Sequence, residues 1–242
     1  MKIKDELTRV FDKYINDALD ERRCFNIVFP CNEDGKPTKE DRDFISEFVD
    51  GRRTRYASFD KPDGYAIMER FGLIVEHFEI DSYRRNNKGS TFRQALAKQE
   101  KGIAKAHFDY HPDLLTDNFR TTYQAHLKKT KSYLENLKQA HPNAIKLKNK
   151  KLFVIEDVTD YGYTKKDATK LEIATDMAKK IITCFYNIPS PVAYNFYFTT
   201  VNGDPYAFFV SHKAAMSAKK RFSKTTAPPI TQVTRITLRP KH

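Results

Sequence analysis

Hydrophobic positions along this chain change their period several times, and each change marks an element. In residues 4–23, Leu7, Val10, Phe11, Tyr14, Ile15 and Ala18 fall on one stripe at helical spacing. "CFNIVFPC" is a short apolar run that reads as a strand or an extended connection, and the following "NEDGKP" is turn chemistry. A second helix is expected from Thr38, with Asp41 as a rough capping partner, Phe44, Ile45, Phe48 and Val49 as its apolar face, and Gly51 as its end. Three aromatic and β-branched runs follow, "TRYASF", "GYAIMERF" and "LIVEHFEID", the last two close enough around Gly72 for a tight antiparallel hairpin.

From Thr91 to about Gln139 the period is helical again, interrupted by "HPDLLTDN". In its second half Tyr123, Leu127, Thr130, Leu134 and Leu137 recur at gaps of four and three, a narrow packing stripe that turns the lysines outward. "KLFVIEDVTDYG" is a strand that turns acidic toward its end. Thr164 and Asp167 are the expected caps of a helix reaching about Phe185. "PVAYNFYFTT" and "PYAFFVSH" form a hairpin around Asn202-Gly203-Asp204. A short basic helix near 213–221 and an edge strand, "ITQVTRITLR", complete the pattern. The fold class is therefore α/β (mixed), a central mixed sheet flanked by helices, and the 242 residues are expected to form one domain.

Charge sharpens this outline. Lys+Arg 43 against Asp+Glu 31 gives a net +12. The excess sits in two segments, 120–151 and 213–242, while the rest of the chain is mildly acidic. Concentrated basic segments on an acidic body point to a polyanion, nucleic acid first among them. A solvated basic face that aids solubility is the bland alternative, and a protein-interaction domain whose basic face meets an acidic partner is a third reading. No apolar run approaches the roughly 18 residues a membrane span needs, so no membrane partner is expected. The charged N-terminus does not read as a signal peptide, and Cys24, Cys31 and Cys184 form no CxxC pair, so a reducing, cytoplasmic setting is expected.

The candidate chemistry lies in "KPDGYAIMERFGLIVEHFEID" at 61–81. Alternation puts Ile74, Glu76, Phe78 and Ile80 on one side of the strand, so Glu76 points with the apolar residues and needs a partner. Asp63 lies at the mouth of the adjacent strand. Two carboxylates converging at the end of a hairpin can hold Mg²⁺ or Mn²⁺. His77 belongs to the opposite face and would need a bulge to join them. "NNKGST" at 86–91 has a glycine and hydroxyls at an expected helix start but lacks the full phosphate-loop pattern, so Ser90 or Thr91 reads as a helix cap. The histidines His107, His111, His126 and His141 show no metal spacing and read as surface residues. Glu156 and Asp157 read as strand-end acids near Lys165 and Lys166.

Pro62-Asp63 followed by a strand-borne Glu76, on the order helix, three strands, helix, strand, resembles the PD-(D/E)XK nuclease superfamily. The resemblance implies a restriction-endonuclease-like core at about 38–160 with extra C-terminal strands, an N-terminal helix and a C-terminal α/β extension packed on that core. It implies metal-dependent hydrolysis of DNA, with Asp63 and Glu76 binding Mg²⁺ or Mn²⁺. The family's lysine, two residues beyond the glutamate, is Phe78 here. Lys88 is the candidate substitute, with Glu47 and His77 as assisting catalytic residues. A degenerate nuclease fold that binds nucleic acid without cutting it is the alternative.

Overall fold

Near-continuous burial along three neighbouring strands sets the architecture, because residues on both faces of the sheet are covered. The computed structural model describes residues 9–10, 25–29, 39–49, 56–58, 62–67, 71–83, 97–98, 101–102, 111–140, 148–161, 168–185, 187–189, 192–212 and 232–236. Its elements are β1 (Phe25–Phe29), α1 (Lys39–Val49), β2 (Tyr56–Ser58), β3 (Gly64–Ile67), β4 (Gly72–Ile80), α2 (Pro112–Ala140), β5 (Asn149–Asp160), α3 (Lys170–Phe185), β6 (Tyr194–Val201), β7 (Asp204–Ser211) and β8 (Gln232–Ile236).

Six strands form one mixed sheet in the order β2-β3-β4-β5-β6-β7. β2, β3 and β4 are antiparallel, β4 to β5 and β5 to β6 are parallel, and β6 and β7 are antiparallel again. The two parallel steps move in the same direction across the sheet, and right-handed crossovers then place α2 and α3 on one face. Phe78, Phe153 and Tyr197 on that face share a core with Phe119, Tyr123 and Ile181 of the two helices. We call this the helical face. On the opposite face Phe44 of α1 stacks on Tyr194 at 3.8 Å between ring centroids and on Phe209 at 5.4 Å. That layer also receives Arg9, so we call it the N-terminal face. β1 and β8 pair separately as a two-stranded antiparallel sheet.

Local sequence explains the joints. Asn202 and Gly203 have φ of 48° and 79°, which suits the two-residue turn joining β6 to β7. Gly72 faces Ile67, and a side chain there would run into the Tyr65 hydroxyl and the Asn149 amide oxygen. The expected interruption at "HPDLLTDN" is instead the start of α2, with Pro112 as its first residue, where a missing N–H costs nothing. α3 begins later than expected. Thr169 and Glu172 cap it reciprocally, the Glu172 carboxylate accepting from the Thr169 N–H at 2.8 Å and the Thr169 hydroxyl from the Glu172 N–H at 3.2 Å. Thr164 and Asp167 lie outside the described residues, as do most of residues 4–23, Cys24, Cys31 and the basic segment 213–231. Among the described residues no helix is long and apolar enough to cross a membrane.

Candidate functional site

β4 runs through the middle of two polar clusters, one on each of its faces. Glu76 and Phe78 point to the helical face; His77 and Glu79 point to the N-terminal face. No register shift interrupts β4 against β3 or β5, so the bulge that His77 would need to reach Glu76 is absent.

On the helical face the Glu76 carboxylate, buried in β4, lies 2.6 Å from Nδ1 of His126 on α2. Tyr133, two helical turns beyond His126, hydrogen-bonds the same carboxylate. Burial pushes the Tyr133 hydroxyl well up, and the hydrogen bond and charge of Glu76 and then the charge of Asp63 push it further. Phe78 stacks on the His126 ring at 4.6 Å between centroids. The position where the family resemblance wants a lysine thus carries the ring that seats the histidine. His126 is therefore part of the core-facing side of α2, not the surface residue its sequence context suggests. Asp63, one residue before β3, continues the Gly64↔Val75 register toward Glu76. Its carboxylate accepts the backbone N–H of His77 at 2.7 Å.

On the N-terminal face, β4 and β5 are parallel with Glu79 opposite Glu156. One ligand atom from each of His77, Glu79 and Glu156 lies within 4.8 Å of the others. His77 Nε2 is 3.2 Å from Glu156 Oε2. Arg9 forks onto Glu156 with its two terminal nitrogens at 3.0 Å and 3.4 Å and approaches Glu79 at 3.8 Å. The side chains of His77 and Glu156 are 5% and 2% exposed, whereas that of Arg9 is 37% exposed. Burial alone would raise the Glu156 carboxyl, but the hydrogen bond and charge of His77, then the charge and hydrogen bond of Arg9, outweigh it and hold the group at about 2. This buried His/Glu cluster could hold a metal ion: the donors are one imidazole and two carboxylates.

The expected site residues are thus divided between faces. Asp63 and Glu76 are neighbours across β3 and β4, each committed to protein donors. His77 is on the other side. Glu47 is half-buried on α1, which packs on the N-terminal face through Phe44, so it does not face Glu76. Lys88 lies outside the described residues. Glu156 and Asp157 are not strand-end acids on the surface; both are buried within β5, between β4 and β6. Asp157 faces the helices and accepts from the hydroxyls of Tyr161 at 2.5 Å and Tyr197 at 2.7 Å. The signal for Glu79 was present in the sequence, since His77 and Glu79 are two apart in a strand and must share a face. Arg9 carried no such signal. Comparison with known proteins found no matching family model, no matching curated protein and no matching solved structure.

Proposed function

We propose that this chain is a metal-dependent phosphodiester hydrolase acting on nucleic acid, DNA in the first instance, with its metal centre at His77, Glu79 and Glu156. The observation that carries the reading is the convergence of those three ligand atoms within 4.8 Å, on adjacent parallel strands, with His77 and Glu156 buried and Glu79 partly buried. A divalent ion bound there would polarise a phosphoryl oxygen and activate a water.

The chain's own residues supply the rest. Glu156 is held anionic by His77 and Arg9, so it is a ready ligand at neutral pH. Asp63 fixes the β4 backbone at His77 by accepting its N–H, and so fixes the height of the imidazole along the strand. An imidazole among the donors favours Mn²⁺ over Mg²⁺, which prefers an all-oxygen shell. Exposed Arg120, Lys128, Lys129 and Lys138 on α2 offer phosphate contacts for the flanks of a bound strand. The element order from α1 to β5, together with the Pro62-Asp63 and Glu76 signature, supports a divergent relation to PD-(D/E)XK nucleases, with the metal carried one face over from the expected pair.

The second reading is binding of nucleic acid without hydrolysis. It is favoured by Arg9, whose guanidinium already supplies positive charge to Glu156. Cleavage of linear and supercoiled DNA with Mn²⁺ and Mg²⁺ separates the readings. Wild type is expected to cut with Mn²⁺, and E156Q and E79Q to lose at least about 100-fold, a loss typical of removing a principal electrostatic group from a centre. If E156Q cuts like wild type while D63A and E76A do not, the centre is the sequence-expected pair. If wild type binds DNA in a salt-dependent way and never cuts, the protein only binds.

A further inference from the structure

The candidate metal cluster and the basic helix α2 lie on opposite faces of the sheet, so the lysines of α2 are not beside the bond that such a centre would break. Among the described residues the cation in contact with the cluster is Arg9. Its guanidinium spans the two carboxylates, forked on Glu156 and 3.8 Å from Glu79. Unlike its buried partners it is open to solvent along about a third of its side chain. A planar fork of donors matches a phosphate oxygen pair as well as it matches a carboxylate.

We propose that Arg9 is an exchangeable counter-ion: it neutralises Glu156 while no divalent ion is bound, and turns to a non-bridging oxygen of a phosphodiester once an ion takes the carboxylates. The inference rests on the metal-centre reading above and adds to it the residue that recognises the anion. A divalent ion and the Arg9 fork draw on the same Glu156 oxygens and repel each other there, so ion binding and the fork compete. The released guanidinium stays tethered next to the centre, where a phosphate bridging ion and arginine gains two opposite charges at once. Arg9 therefore weakens metal binding in the free protein and strengthens anion binding in the loaded one.

Calorimetric titration of the full chain, without nucleic acid, tests both halves, using Mn²⁺ alone and then inorganic phosphate at saturating Mn²⁺. R9Q is expected to bind Mn²⁺ about ten-fold more tightly than wild type, because the competitor is gone. The same variant is expected to bind phosphate about ten-fold more weakly, with R9K intermediate because it keeps the charge and loses the fork. The proposal is overturned if R9Q binds Mn²⁺ no more tightly than wild type, or if it keeps wild-type phosphate affinity. Circular dichroism checks that R9Q is folded; if it is not, R9K decides on the same two affinities. A failure of the underlying metal site looks different: E156Q then binds Mn²⁺ as wild type does, whatever Arg9 does.

Discussion

Glu156 and Asp157 are neighbours in sequence, on the same strand, and both are buried, yet their surroundings drive them in opposite directions. Glu156 faces the N-terminal layer and meets two groups that can carry positive charge, His77 and Arg9, which hold its carboxyl at about 2. Asp157 faces the helices. Burial pushes it up, and the hydroxyls of Tyr161 and Tyr197, with Thr159, only partly offset this, leaving it at about 6. Neutral donors can satisfy the oxygens of a buried carboxylate, but they supply little of the opposite charge that makes ionisation comfortable. The difference separates a carboxylate satisfied by neutral hydroxyls from one that sits among cations, in the cluster on the N-terminal face that could hold a metal ion.

The largest expected effect comes from removing the donors that make Asp157 tolerable. Y161F/Y197F strips both hydroxyls from a fully buried carboxylate and should destabilise the fold by about 4 kcal/mol in urea unfolding, at about 2 kcal/mol for each hydrogen bond to a charged group. A double variant as stable as wild type would mean that Asp157 is held neutral and needs neither.

The pH dependence of stability should show the two residues as opposite arms. Glu156 gives up its proton near 2 when folded and at 4.5 when unfolded, so its contribution is present above about 4.5 and is lost as pH falls toward 2, a change of roughly 3 kcal/mol. Asp157 keeps its proton to about 6 when folded and only to 3.8 when unfolded. Its contribution is present below 3.8 and is lost as pH rises to about 6, again by roughly 3 kcal/mol. Unfolding free energies measured from pH 3 to 8 should lose their acid arm in E156Q and their upper arm in D157N. Identical curves for the two variants would remove the comparison.

On the helical face, H126A leaves the Glu76 carboxylate buried with Tyr133 but without its imidazole and should cost about 2 kcal/mol. It should leave Mn²⁺ affinity unchanged, because the cluster that would hold the ion is across the sheet. The smallest effect is T169A, which removes the cap of α3 and should cost about 1 kcal/mol by thermal or chemical melting, with no change in metal or nucleic-acid binding.

Much of the fold was legible because it is written in local period. The strands of "GYAI" and "LIVEHFEI", the Asn202-Gly203 turn and the apolar face of α2 follow from alternation, turn chemistry and helical spacing. What was illegible depends on distance along the chain. β1 finds β8 about two hundred residues later, and nothing local in "FNIVF" names that partner. Of the stripe expected on α2, Tyr123, Thr130 and Leu137 are buried and Leu127 and Leu134 half-buried; Tyr133 beside it, also buried, was not read, because its hydroxyl bonds Glu76 on a distant strand. The acids in "FVIEDVTD" looked like the end of a strand because buried carboxylates are costly. Their stabilising partners, Arg9 and Tyr197, lie 147 and 40 residues away.

The candidate site shows the same limit. That Glu76 points inward was readable from alternation; that its partner is His126, 50 residues away, was not. The resemblance directed attention to Asp63 and Glu76, one residue along β4 from the face where His77, Glu79 and Glu156 converge. In a strand, one residue is the whole thickness of the sheet.

Mn²⁺ binding to wild type, E156Q and E76Q, followed by the loss of the free-ion electron paramagnetic resonance signal, tests the central claim most directly. The account predicts one site in wild type, the same site in E76Q, and none in E156Q. Binding retained by E156Q and lost by E76Q would contradict it and return the metal to the helical face.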